Sequence, residues 1–527
     1  MIKIIVTGTL KNLTALHCGS AVSAFHTDMP IARDGAGNPY IPGTSLAGAL
    51  RDYLKAHLGD YRDWYADFEP EWWKLNSKKG SVTMPSAAKL SNGKDEHPLI
   101  RNLFGYQFGE EGHSSRVFVE DAVCEGPTGV AIRDHVVIFR ETGSAVPGLK
   151  FDEEVVQAGS AFSFFLEVNI PKIDDCQMLI DLVSGAVCAL QNGHIHLGGK
   201  TSRGMGRVEL TVDNALKWDL TLPEDFNGYQ AFLGDLHTGA NTYQTPQNNE
   251  FKLNPLAPNE DQAFLDITLS CGFDGPFMVK SGAVSEKENA EVADLECLKE
   301  RDPDGNLRFL IPGSSLKGAF RAQAERIVRM VQGTLNDNSW FHPLLLNDTT
   351  PLNMENFANY LKNRRTQNLE PPEVVRCFGD PQKGQGSFHF QDVYFEAKTK
   401  ATNHVAIDPL TGGAINGALY SMQPVWDEAA SFEMTIQVRR PQAWQIGLLG
   451  HILKDLFTGR FRIGHGGSKG LGRIVFKGVS HIDWYLDGFE RNAEKILSKN
   501  PQLNAESQAL LEELAKAFTK QMGPKND

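Results

Sequence analysis

The segment Ile41–Arg51, IPGTSLAGALR, returns 270 residues later as Ile311–Arg321, IPGSSLKGAFR, with eight of eleven positions identical. A second, unlike motif repeats at nearly the same spacing. Gly198–Val208 reads GGKTSRGMGRV and Gly466–Ile474 reads GGSKGLGRI, their Gly-x-Gly-Arg endings 266 residues apart. Two different motifs in one order at one offset imply a duplicated domain. Weaker echoes fill the interval. Phe104-Gly105 answers Phe378-Gly379, each followed by a strand pattern, SRVFVEDAV or GSFHFQDVYF. His135-Val136-Val137-Ile138 answers His404-Val405-Ala406-Ile407, and Leu16-His17-Cys18-Gly19 is matched to Leu269-Ser270-Cys271-Gly272.

The copies span residues 1–215 and 260–480. Segment 216–259, rich in Asn, Gly, Pro and Thr, reads as a linker. Within the tail, 481–527, AESQALLEELAKAF has the periodicity of an amphipathic helix. Each copy opens with a strand, Lys3–Leu10 or Phe264–Leu269, followed by a helix that starts at Thr44/Ser45 or Ser314/Ser315 caps. A central strand, a long irregular excursion, a strand (AFSFFLEVNI or SFEMTIQVRR), a helix, the glycine loop and a final strand follow. That alternation predicts an α+β chain of two tandem ferredoxin-like domains, βαββαβ, the arrangement of RNA-recognition domains. The excursion is too long for a hairpin and is expected to project.

Composition narrows the class. The net charge of −13 gives no bulk attraction for phosphate, so any nucleic-acid contact has to rest on local cations. The seven cysteines form no Cys-x-x-Cys pair and read as reduced, buried residues. No apolar run is long enough for a membrane span, and the first strand lacks the profile of a signal peptide, so a cytoplasmic protein without membrane partners is expected.

The glycine loop permits positive φ and close backbone approach, and glycine amides beside cations make an anion cradle. Gly199, Lys200, Arg203 and Arg207 in one copy, with Gly467, Lys469 and Arg473 in the other, are the candidates. A plain tight turn with solvated cations is the alternative. A nucleotide P-loop is excluded: the pattern requires glycine at position 194, which is His194, and the second copy lacks the Lys-Ser/Thr pair. In the IPG element, Ser45 and Ser315 cap a helix N-terminus able to meet phosphate, with Arg51, Lys317 and Arg321 behind it; a bare helix start is the plainer reading. In the same helix, Arg326 and Arg329 read as a solvated basic face. Upstream, Asp28 lies in an irregular segment before Pro30, and Asp294 takes the corresponding place. RNA carries its own nucleophile, the 2′-hydroxyl, and a nearby carboxylate can take its proton or hold a divalent metal. Asp34 and Asp302 read as turn residues.

Taken together, the IPG[ST]SLxGxxR element, the central strand after Phe-Gly and the terminal glycine loop resemble the RAMP superfamily. Asp28–Arg51 is similar to the target-cleaving backbone subunits of type III CRISPR complexes, and the fused pair resembles type III-D arrangements. The resemblance implies subunits that hold guide RNA, insert a thumb into the guide–target duplex and cut single-stranded target RNA with a divalent cation such as Mg²⁺. It implies further backbone subunits and the large signature subunit as partners. By position, the catalytic and metal-binding aspartate is Asp28, with Asp294 as its counterpart in a longer loop lacking the following Asp-x-Pro. The thumbs map to 127–151 and 398–425. Two alternatives within the same resemblance are a non-catalytic guide scaffold and a guide-processing endoribonuclease, for which His17, His26 and His113 are available.

Overall fold

The computed structural model describes residues 1–20, 27–58, 97–108, 111–126, 128–138, 145–172, 176–238, 249–256, 263–281, 293–333, 371–380, 384–486 and 505–522. The first half contains β1 (Ile2–Asn12), α1 (Gly43–Leu58), α2 (Pro98–Phe104), β2 (Val117–Val119), β3 (Val130–Ile138), β4 (Ala145–Val156), β5 (Ala161–Ile170), α3 (Cys176–Gln191) and β6 (Val208–Asp219). The second contains β7 (Phe264–Phe273), α5 (Gly313–Val331), α6 (Pro372–Phe378), β8 (Phe388–Phe390), β9 (Thr402–Ile407), β10 (Ala414–Gln423), β11 (Ser431–Arg439), α7 (Ala443–Phe457) and β12 (Ile474–Tyr485).

The two sheets have one topology. The strand orders are β6-β1-β5-β2 and β12-β7-β11-β8, and each neighbouring pair is antiparallel. β5 alternates strictly, with Phe162, Phe164, Leu166, Val168 and Ile170 pointing into the core under α1 and α3. β1 departs from alternation at Ile4-Ile5-Val6, because both faces of the sheet are covered there. Ile4 and Val6 join the main core, while Ile5 packs behind it with Leu216, Trp218 and Phe232.

Phe232 belongs to α4 (Pro223–Thr238), so the segment read as a linker carries a helix. Its later part pairs with β6 through Leu216 and Glu250, and Leu256 lies over Gly185 so closely that no Cβ would fit there. The final strands also run past the expected limits, to Asp219 and Tyr485. At the other end of the chain, α8 (Ala505–Met522) crosses α7 at Gly447 and buries Leu514, Phe518 and Met522 in the second core.

One sequence match is corrected. Leu16 exchanges backbone hydrogen bonds with Val156, and the residue making the same exchange in the second half, with Val425, is Phe277. Leu269–Gly272 instead lie inside β7, so His17 corresponds to Met278. The match by letters fails because β7 ends on a Leu-x-Cys-Gly string that merely resembles the segment after β1.

Contrary to the expectation from its length, the excursion between the middle strands is a hairpin in both halves, β3–β4 and β9–β10, because long paired strands take up most of it. These hairpins expose Ile132, Val136, Ile138, Val405, Ile407, Leu410, Ile415 and Leu419. Exposed apolar side chains on a two-stranded projection have no core to serve and mark a contact surface.

Among the described residues the halves meet along a seam. From β3, fully buried Arg133 reaches into the second half, to Glu300 at 2.6 and 2.8 Å and to Asp392 at 2.7 Å. The glycine loop of the first half lies against the start of α5: Gly204 abuts Asp392, the Arg203 carbonyl abuts Gly313, and Lys317 Nζ donates to Ser202 Oγ at 2.8 Å.

Candidate functional site

Asp28 and Asp294 occupy the same place relative to their hairpins. The Asp28 amide donates to Asp152 Oδ1 at 2.8 Å, and the Asp152 amide donates to Asp28 Oδ2 at 3.1 Å. In the second half the partner is Ser421, whose amide and hydroxyl both donate to Asp294 Oδ2, at 2.8 and 3.0 Å; the Asp294 amide donates back to Ser421 Oγ at 2.9 Å. A parallel pairing follows each contact, Met29 with Glu153 and Leu295 with Met422. Both aspartates are exposed, on a loop strapped to the foot of the projecting hairpin. Asp152 and Ser421 were not legible as partners, since each lies more than 120 residues from its aspartate in sequence.

The helix starts differ from their expected form. The first amide of α1, on Gly43, is held by Asp121 Oδ1 at 2.7 Å, and that of α5, on Gly313, by Asp392 Oδ1 at 2.8 Å. The capping carboxylates come from the connections that follow β2 and β8, not from Ser45 or Ser315, whose own amides bond to the carbonyls of Pro42 and Pro312. A negative charge already occupies each helix N-terminus. Arg51 and Arg321, expected at an RNA strand, donate to the carbonyls of Gly105 and Gly379 at 3.3 and 2.9 Å and brace α1 and α5 against the turns after α2 and α6. Lys317 is buried in the seam, where desolvation and the nearby Arg203 and Arg321 push its ammonium down to about 7. In the same helix Arg326 is exposed, whereas Arg329 is buried against Glu325 and is no part of a solvated face.

The glycine loops are two versions of one turn. A short helical turn, Thr201–Arg203 or Gly467–Lys469, is flanked by left-handed residues: Lys200 (φ 59°) and Gly204 in one, Gly466 (φ 76°) and Gly470 in the other. The Gly199 amide is spent on the His17 carbonyl, and Gly198 touches that carbonyl closely. Arg207 donates to Gln391 across the seam at 3.4 Å, while its counterpart Arg473 is exposed and paired with Asp274 at 2.9 Å. Lys200 contacts Glu153 and lies 5.2 Å from the Phe151 ring centroid; exposed Lys469 lies 5.3 Å from the Tyr420 ring and donates to its hydroxyl at 3.0 Å. Of the expected cations, Lys200 and Lys469 therefore stand at the feet of the hairpins beside the aspartates.

His17 is buried with Nδ1 2.7 Å from the Glu154 carbonyl, and His113 lies near Arg116; His26 falls outside the described residues. Asp34 and Asp302 accept from the amides two and four residues on and shape turns. The seven cysteines are free thiols, and burial pushes Cys18, Cys271 and Cys377 up to about 12. Among the described residues no three His, Cys, Asp or Glu side chains gather as a metal site. What the feet of the hairpins offer is hard oxygen: two carboxylates in the first half, a carboxylate and a hydroxyl in the second.

The fold and these sites define a class: the chain belongs to the RAMP superfamily, whose family model matches residues 9–209 and again 232–475, so that two copies are present. More particularly, it is similar to proteins named CRISPR system Cms endoribonuclease Csm3. The Enterococcus italicus protein is 26% identical over 226 residues, 40% of this chain and 91% of that protein. Those of Methanocaldococcus jannaschii and Mycobacterium tuberculosis are 27% and 28% identical, over 39% and 40% of this chain and 78% and 86% of their own lengths. Each of these relatives therefore corresponds to about one of the two copies. No helix among the described residues is long and apolar enough to cross a membrane.

Proposed function

We propose that this protein is a double backbone subunit of a type III CRISPR effector complex that holds guide RNA and cleaves paired target RNA at two places. The coarse reading, a type III RAMP backbone subunit associated with RNA cleavage, follows from the family and its relatives. The finer one rests on one observation: in both halves a loop aspartate is strapped to the foot of a projecting, apolar-surfaced hairpin. The antiparallel four-stranded order of each half supports reading it as a ferredoxin-like body. On this reading the domains are the two RAMP bodies, and guide RNA, target RNA and further complex subunits are the partners.

The hairpin would part the duplex and turn one nucleotide out, presenting its 2′-hydroxyl to the aspartate. The carboxylate takes the hydroxyl proton, the 2′-oxygen attacks the adjacent phosphorus, and the bond to the 5′-oxygen breaks as that oxygen takes a proton from water. One product ends in a 2′,3′-cyclic phosphate and the other begins with a 5′-hydroxyl. Asp28 with Asp152, and Asp294 with Ser421, would hold a hard divalent cation such as Mg²⁺, which is bound through few protein oxygens with water and phosphate completing its shell. Bound there, it would offset charge on the phosphate.

The test is cleavage of labelled target RNA by assembled complexes carrying Asp28→Ala, Asp294→Ala or both. Each single change is expected to abolish one cut, by at least a hundredfold, with guide and target binding retained. Survival of both cuts in the double variant would leave a guide scaffold as the function.

A further inference from the structure

In each half a lysine of the glycine loop lies over an aromatic ring of the hairpin, Lys200 over Phe151 and Lys469 over Tyr420. The rings are equivalent: each faces a histidine across the hairpin, His135 stacked at 5.0 Å and His404 at 5.3 Å. The next residue along, Asp152 or Ser421, is the one bonded to Asp28 or Asp294. The two lysines, however, hold different positions in the loop. Lys200 precedes the helical turn, where the second loop has Gly466, and Lys469 ends that turn, where the first loop has Arg203.

Arg203 at that position is exposed, its charge near that of Lys317 in the seam. The first half supplies its ammonium from Lys200, at φ 59°, a conformation unfavourable for a non-glycine residue. Reaching one location by two routes, one of them strained, points to a demand of the site and not of the loop. The environments also differ. Buried Glu153 accepts from His135 at 2.7 Å and pairs with the Lys200 ammonium. In the second half Met422 replaces Glu153 in the register, and Lys469 is exposed with a phenol as its partner.

We propose that Lys200 and Lys469 each flank a cleavage position as a subsite for an RNA backbone phosphate, and that Glu153 masks the first while the second is open. This rests on the reading that an RNA strand passes the two aspartates. A phosphate entering the first subsite displaces Glu153 from Lys200; one entering the second displaces only solvent and the Tyr420 hydroxyl.

The experiment is binding of a fluorescent single-stranded RNA oligonucleotide to the full chain across a salt series, a readout independent of cleavage. Each phosphate neutralised on a single strand contributes about 0.7 to the slope of log affinity against log salt. Lys469→Met is expected to reduce the slope by about 0.7 and Lys469→Arg to restore it, with Tyr420→Phe without effect, each change counted in units of one single-strand phosphate contact. Lys200→Met alone is expected to change little, whereas Glu153→Gln adds about 0.7, a gain abolished when Lys200→Met is combined with it. Slopes unmoved by Lys469→Met or by Glu153→Gln, with binding intact, overturn the proposal. Absence of RNA binding by the unaltered chain would instead overturn the functional reading on which it rests.

Discussion

Lys317 shows how a residue's meaning depends on what packs over it. In sequence it is a cation one turn into a helix that opens on IPGSS; in the fold it is buried at 8% exposure, with the Ser202 hydroxyl as its hydrogen-bond acceptor. Burial favours the neutral amine, and Arg203 and Arg321 add to that, so its docked value of about 7 lies below the ordinary 10.5. The sign follows from linkage: a base with a depressed value in the docked state favours docking fully above the ordinary value. That contribution is lost as the pH falls from about 10.5 towards 7, since the undocked lysine binds the proton more strongly. Lys317→Met is therefore expected to stabilise the seam at neutral pH and to flatten its pH dependence between 7 and 10.5. Thermal unfolding of the two proteins at several pH values checks both.

Among the elements, the hairpins are the ones whose sequence is hard to reconcile with a stable surface. Val405, Ile407, Ile415 and Leu419 are exposed along β9 and β10, and Leu410 in the connecting turn is 94% exposed. Such positions contribute almost nothing to folding, so Leu410→Asp with Leu419→Asp is expected to leave the melting temperature within about 1–2 °C, the effect of a few tenths of a kcal/mol. If the hairpin parts the duplex, the same pair of changes should slow the cut of the Asp294 half at least tenfold and leave that of the Asp28 half alone. Mapping cut positions with the double variant decides it. Equal loss at both positions would locate the effect in assembly.

At the scale of the whole molecule, the buried Arg133–Glu300–Asp392 cluster joins the two halves. Asp392 also caps α5, so the same carboxylate serves the junction and the helix that carries Lys317. Removing the guanidinium leaves two buried carboxylates without a counter-charge, an effect of about 3–5 kcal/mol. Arg133→Ala should therefore separate one cooperative unfolding transition into two and increase hydrogen exchange at the Gly313 amide. Arg133→Lys should rescue poorly, because one ammonium does not reproduce a fork that reaches both oxygens of Glu300 and one of Asp392.

The sequence alone determined that there are two copies and the type of their principal elements, because those depend on local pattern. Alternation in AFSFFLEVNI defines β5, periodicity defines α3 and α7, and the repeated IPG and glycine motifs fix the doubling. Tertiary structure decided the rest. A contact such as Asp28 with Asp152 joins residues 124 apart, and a helix cap such as Asp121 comes from a connection 78 residues away, distances over which spacing carries no information. The same holds for charge. Arg51, Arg321, Lys317 and Lys469 look alike as letters, yet three are used inside the protein and one faces solvent, since burial and partners are properties of the packed chain.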